Sequence, residues 1–147
     1  MSSRLYPASR LESPSPPAAV GTDVSVLCSH APKLLAGRIA QLSGDAALSM
    51  AARIVGTYLV RSSAPVAWVI GNATIPFPPD LETADIDLER VVWINGTRHD
   101  DVLYAIDTLA ASTLFPLICV DLADFKGIGP GAIARFMHRL RRNGGAL

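Results

Sequence analysis

A glycine turn opening a helix can wrap phosphate with its backbone N–H groups, but a phosphate loop also needs a lysine for the β/γ charge and a hydroxyl for magnesium. The segment Gly37-Arg-Ile-Ala-Gln-Leu-Ser-Gly44-Asp-Ala-Ala-Leu-Ser49-Met50 reads as a strand, a turn and a helix start, and it lacks the lysine. Gly44 is followed by Ala46, Ala47 and Leu48, while the two lysines, Lys33 and Lys126, lie outside the turn. The fold signal is kept and the chemistry signal is gone. No catalytic residue and no nucleotide cofactor are expected from this segment.

The remaining reactive side chains form no constellation. Asp121 ends the apolar run 117–120, where an ATPase would use an aspartate to organise magnesium. Without the lysine it reads as a strand-end carboxylate capping Ala123, Asp124 or a nearby turn, and Asp124 reads likewise. His30, His99 and His138 are scattered, and Cys28-Ser-His30 offers too few ligands for zinc. Ser49 has neither a base nor a nucleophile elbow. The chain is therefore expected to be neither an enzyme nor a metal protein.

Two features suit protein contact instead. Phe77 stands between Pro76 and Pro78, where extended backbone either presents the ring as an interface anchor or lets it fold back over a sheet. Arg135, Arg139 and Arg142, spaced by four and three, fall on one face of a helix. That face can meet phosphate or an acidic protein surface, although solvation is the plainer reading, because a helix C-terminus tolerates positive charge. Trp68 and Trp93 lie within apolar strands, where packing under a helix is favoured over ligand stacking.

The elements that must position these residues alternate. Residues 39–42 suggest a short strand into the Gly44 turn. From Ala47 to Arg61, Ala47, Met50, Ala51, Ile54, Tyr58 and Leu59 recur at helical spacing. Val66 to Ile70 is nearly all apolar, as a central parallel strand covered on both faces should be. After Pro76-Phe-Pro-Pro79 comes a polar helix candidate over 80–84. Val91 to Ile94 reads as a buried strand ended by Asn95-Gly96. A helix capped by Asp100 or Asp101 follows, with Val102, Ala105, Ile106, Leu109 and Ala110 on one face. Leu117 to Val120 is a further strand, and Ile133, Phe136, Met137 and Leu140 make the apolar stripe of a helix over 131–142. This order predicts an α/β fold with an open, mainly parallel sheet and helices on both faces.

Composition sets the outer limits. The 147 residues suit one domain with a substantial core. Residues 1–22, with Pro7, Pro14, Pro16 and Pro17 among serines and alanines, read as a flexible leader, residues 23–143 as the folded unit and 144–147 as a frayed tail after Gly144-Gly145. Thirteen basic and thirteen acidic residues give zero formal charge, which argues against a free-standing polyanion binder. Cys28 and Cys119 make no local motif, and a reducing cytoplasm is the expected compartment. The start has no continuous apolar core of the kind a signal peptide carries. No apolar run approaches the roughly 20 residues that span a bilayer, so no membrane partner is expected.

Three stretches together resemble a truncated RecA-like core, and more closely the degenerate relatives that include the ImuA accessory proteins of mutagenic repair and the SulA inhibitors of cell division. They are the Gly37 to Gly44 approach to the turn, Ala84-Asp-Ile-Asp-Leu-Glu-Arg-Val-Val-Trp-Ile94, and Asp107-Thr-Leu-Ala-Ala-Ser-Thr-Leu-Phe-Pro-Leu-Ile-Cys-Val-Asp121. The likeness lies in their serial order over about residues 33–142. It departs from RecA at the phosphate loop and at the glutamate after the second core strand, and the further strands and loops that hold DNA beyond Asp121 are not expected here.

The resemblance implies a non-catalytic interaction module. The first expectation is an accessory in DNA-damage tolerance, within the SOS response and translesion synthesis, whose partner is a RecA-type protein or a translesion polymerase assembly. The alternatives are a SulA-like inhibitor acting on a tubulin-like division protein, and a divergent nucleotide-binding ATPase. Direct DNA binding is not expected, and the sequence leaves a homodimer open.

Overall fold

A computed structural model describes residues 30, 31, 33–71, 81, 84, 86–122 and 127–147. Three parallel strands, β1 (Val66–Ile70), β2 (Val91–Asn95) and β3 (Leu117–Asp121), form a sheet in the order β2-β1-β3. Among the described residues, the helices α1 (Ala47–Arg61), α2 (His99–Ala111) and α3 (Pro130–Asn143) flank them. This is the α/β fold expected, with its apolar strand at the centre.

All five residues of β1 are buried, because strand alternation sends its side chains into two separate cores. Val66, Trp68 and Ile70 pack with Ala52, Val55 and Leu59 of α1. Ala67 and Val69 pack with Val102, Ile106 and Leu109 of α2 and with Phe136 and Leu140 of α3. Helices therefore cover both faces, α1 on one and the α2–α3 pair on the other. The edge strand β2 is less enclosed, its Val92 and Asn95 being exposed.

Two local devices fix the ends of these elements. The last carbonyls of an α-helix have no intrahelical donor, and at the end of α1 the Arg90 guanidinium reaches back from a 3-10 turn (Leu88–Arg90) to fill that need. It donates to the Leu59 carbonyl at 2.9 Å, to that of Ala64 at 3.2 Å, and to that of Ser62. After β2, Gly96 lets the chain pass so close to α2 that a Cβ there would lie 2.5 Å from Val102 Cγ2. Only glycine fits that turn without displacing a buried valine.

The structure corrects three expectations. Residues 39–42 are not a strand: 38–43 are irregular, and the contacts there are Ala40 N–H to the Leu147 carbonyl at 3.0 Å and Leu147 N–H to the Arg38 carbonyl at 3.2 Å. The apolar pattern was too short to recruit a place in the sheet. The α2 helix begins at His99 with Arg98 as N-cap and no side-chain cap, so Asp100 and Asp101 lie in its first turn, where carboxylates suit the helix dipole.

The third correction is the tail. Gly144, at φ 68°, takes the left-handed conformation that closes α3, and the chain then turns back along the sheet. Ile118 N–H donates to the Ala146 carbonyl at 2.8 Å, Ala146 N–H to that of Pro116 at 2.7 Å, and Gly37 N–H to that of Gly145. Residues 145 and 146 are buried between β3 and residues 37–40. The glycines are a turn, not a release.

The leader, the Pro76–Pro79 segment with Phe77, Asp124, Lys126, Cys28 and most of the 80–84 helix candidate lie outside the described residues.

Candidate protein-interaction surface

The arginines of α3 sit along the seam between α2 and α3. Pro130 starts α3 at a position where a missing N–H costs nothing, and its apolar stripe sinks Phe136 and Leu140 into the core shared with α2. With that face fixed, residues 135 and 139 project across to α2. One carboxylate receives both: Arg135 Nε lies 3.0 Å from Asp107 Oδ1, and Arg139 Nη1 lies 3.1 Å from Asp107 Oδ2. Arg139 Nη1 also donates to the Asp107 backbone carbonyl at 3.0 Å. Arg135 further lies over the Phe136 ring, 5.4 Å from its centroid.

The expected arginine face is thus partly a structural clamp. Arg135 and Arg139 are tied across the seam. Arg142 is exposed and makes no ion pair among the described residues. Sequence spacing identified the shared face, while Asp107 could be found only through the packing of two helices far apart in the chain.

Beyond the clamp the seam opens into a cleft of about 340 Å³ lined by Ala111, Arg139, Arg142 and Asn143. Asn143 Nδ2 donates to the carbonyls of Ala110 at 2.9 Å and Ala111 at 3.2 Å, satisfying the end of α2. Acceptors at that helix end are engaged, and arginine N–H donors remain on the rim. The arrangement suits an anionic group.

The Gly44 turn is a different environment. Gly44 has φ 100° and residues 40–46 are exposed, but no sheet strand feeds α1, which starts at Ala47 with Ala46 as an N-cap that makes no side-chain hydrogen bond. A phosphate loop places the helix N-terminus at the end of a core strand, and residues 37–50 do not. Ser49 is exposed on the first turn of α1. Asp121 ends β3, where its backbone carbonyl accepts from Gly71 N–H at 2.9 Å. Among the described residues no cluster of three or more His, Cys, Asp or Glu side chains could hold a metal.

Trp68 and Trp93 fill the α1 face of the sheet as stacked rings, and Trp68 is fully buried. Cys119 on β3 is the register partner of Trp68, and its thiol is pushed up to about 12, first by burial and then by the Asp121 charge. Such a thiol is inert at neutral pH. No described helix is long and apolar enough to cross a membrane.

No protein-family model and no curated protein matches the chain. Among solved structures, the crystal structure of SulA from Pseudomonas aeruginosa is similar, with a TM-score of 0.56 and 15% identity over 72% of this chain and 87% of that one. At this identity the likeness is one of architecture. The three-stranded parallel sheet, with α1 on one face and the α2–α3 pair on the other, shares its fold with SulA.

Proposed function

We propose that the chain is a non-catalytic protein-binding domain that restrains cell division as a SulA-type inhibitor, with a tubulin-like division protein as its partner. The observation that carries this reading is the likeness to SulA, which extends over 87% of that chain and so includes nearly all of its fold. The glycine turn without a lysine supports the non-catalytic part, since phosphoryl transfer needs stabilisation of the developing charge. The alternative of a damage-tolerance accessory, bound to a RecA-type protein or a translesion polymerase assembly, rests on serial order alone. The missing strand at 39–42 weakens that order.

The test is assembly of a purified tubulin-like division protein with GTP, followed by light scattering and sedimentation. Equimolar addition of this chain should remove most of the polymer. Unchanged polymer mass at a severalfold excess would overturn the reading, and capture of a purified RecA-type protein by the same preparation would replace it with the accessory role.

A further inference from the structure

We propose that the cleft at the C-terminal ends of α2 and α3 is a carboxylate-binding site that receives an acidic segment of the protein partner, with Arg139 and Arg142 as its cationic donors. The cleft holds about 340 Å³ between Ala111, Arg139, Arg142 and Asn143, room for an acidic side chain and its neighbours. Its two arginines differ in a useful way. Arg139 is anchored, since Nη1 is held by both the carboxylate and the backbone carbonyl of Asp107. Arg142 is exposed and has no carboxylate of its own among the described residues. One arginine is thus preorganised and the other is left to pair with an incoming charge, an arrangement suited to the planar, two-oxygen geometry of a carboxylate.

Charge decides the sign of the ligand. Asp107 pairs with Arg135 and Arg139, and Arg142 adds a further positive charge at the cleft, which leaves the seam positive. Asn143 already donates to the Ala110 and Ala111 carbonyls, and the two arginine charges that line the cleft repel a cation. The zero formal charge of the whole chain supplies no long-range field for a nucleic-acid backbone, whose binding draws on many phosphate contacts. A local positive site on a neutral protein fits a short acidic stretch.

This inference rests on the protein-binding reading and deepens it, and the experiment separates the two. A short peptide alternating Asp and Glu is titrated into the isotope-labelled full chain while the Asn143 side-chain amide and the Arg139 and Arg142 Nε–H signals are followed. They should shift and saturate, and Arg142→Glu should weaken the peptide by about tenfold with an unchanged melting temperature. Arg142→Gln should give an intermediate loss and serves if the charge reversal disturbs the fold. Shifts that are absent, or equal affinity in both variants, would overturn the site. An oligothymidylate that moves the same signals at lower concentration than the peptide would also overturn it in favour of phosphate. Division-protein assembly is then measured with the same variants: undiminished inhibition by Arg142→Glu would overturn the cleft as the partner's docking site and leave the inhibitor reading intact. Peptide binding by a wild-type chain that inhibits nothing would support the cleft and remove the division reading.

Discussion

Trp68 and Trp93 occupy directly paired positions on adjacent parallel strands, and their rings stack with centroids 5.3 Å apart and planes 25° from parallel. Neighbouring strands lie about 4.8 Å apart, so two flat side chains at one register level meet almost face to face. Trp68 is fully buried, and its indole N–H has no hydrogen-bond partner among the described residues. The pair therefore serves packing.

The unpaired N–H makes the first prediction specific. Trp68→Ala should cost about 3–5 kcal/mol through lost contacts and the cavity left behind. Trp68→Phe keeps a stacking ring and removes a buried donor that has no partner among the described residues, so its cost should stay below about 2 kcal/mol. Urea denaturation of both variants checks the order. Equal losses would mean that the indole nitrogen has a partner after all.

Arg90 yields the second. Its guanidinium serves carbonyls of Leu59, Ser62 and Ala64 at the end of α1. Arg90→Ala should cost about 1–3 kcal/mol, the penalty of leaving partly buried acceptors unsatisfied, and amide exchange should quicken first in the last turn of α1. Arg90→Lys should recover little, because a single compact ammonium nitrogen cannot span the acceptors that two guanidinium nitrogens reach. Full rescue by lysine would reduce the contact to simple charge.

These two cases show what the sequence did and did not make legible. Apolar runs located β1, β2 and β3, and helical spacing located α1, α2 and α3, because burial imposes a local period that one chain segment reveals by itself. Asp107 with Arg139, and Arg90 with Leu59, join residues about thirty positions apart, and no local period carries them. The strand expected at 39–42 failed for a related reason. Short apolar runs mark suitability for a sheet, whereas its actual place is decided by competition, and here the Gly145 to Leu147 stretch takes the edge beside β3. At the candidate site the arginine spacing was readable, but the cleft and its engaged acceptors were not.

Gly96 gives the third prediction. A Cβ would stand 2.5 Å from Val102 Cγ2 and 3.3 Å from Val102 N, and Val102 is fully buried at the start of α2. Gly96→Ala should therefore cost about 1–3 kcal/mol through forced displacement of packed atoms. Combining it with Val102→Ala should be less costly than the sum of the single changes, because the smaller side chain removes the clash. Additive melts would place the strain elsewhere.

Cys119 gives a pH prediction. Its thiol is raised from an ordinary value of 9.0 to about 12 in the folded chain. The folded state thus holds this proton where the unfolded state has lost it. Its stabilising contribution is complete below pH 9 and is lost as pH rises toward 12, at up to about 1.4 kcal/mol per pH unit. The difference in stability between wild type and Cys119→Ala should shrink over that range when measured by urea melts at pH 8 and pH 10. In a Cys28→Ser background, an aromatic disulfide reagent at pH 8 should label Cys119 only as fast as the protein opens. Fast stoichiometric labelling of the native chain would show an accessible thiolate.

The last prediction concerns the clamp on which the cleft depends. Asp107 meets Arg135 and Arg139 at 3.0 Å and 3.1 Å, yet the arginine side chains are 52% and 35% exposed, so water screens both pairs and limits their net worth. A double-mutant cycle of Asp107→Ala with Arg139→Ala should give a coupling of about 0.5–1 kcal/mol at low salt, diminishing as ionic strength rises. The Asp107→Asn variant keeps an oxygen for Arg139 but loses the charge, and it should melt close to wild type while making the seam more positive. If the cleft binds carboxylates through charge, this variant should hold the acidic peptide at least as tightly as wild type. Weaker binding would mean that the anchoring of Arg139 contributes more than the added charge, and nuclear relaxation of its side chain would then show greater mobility than in wild type.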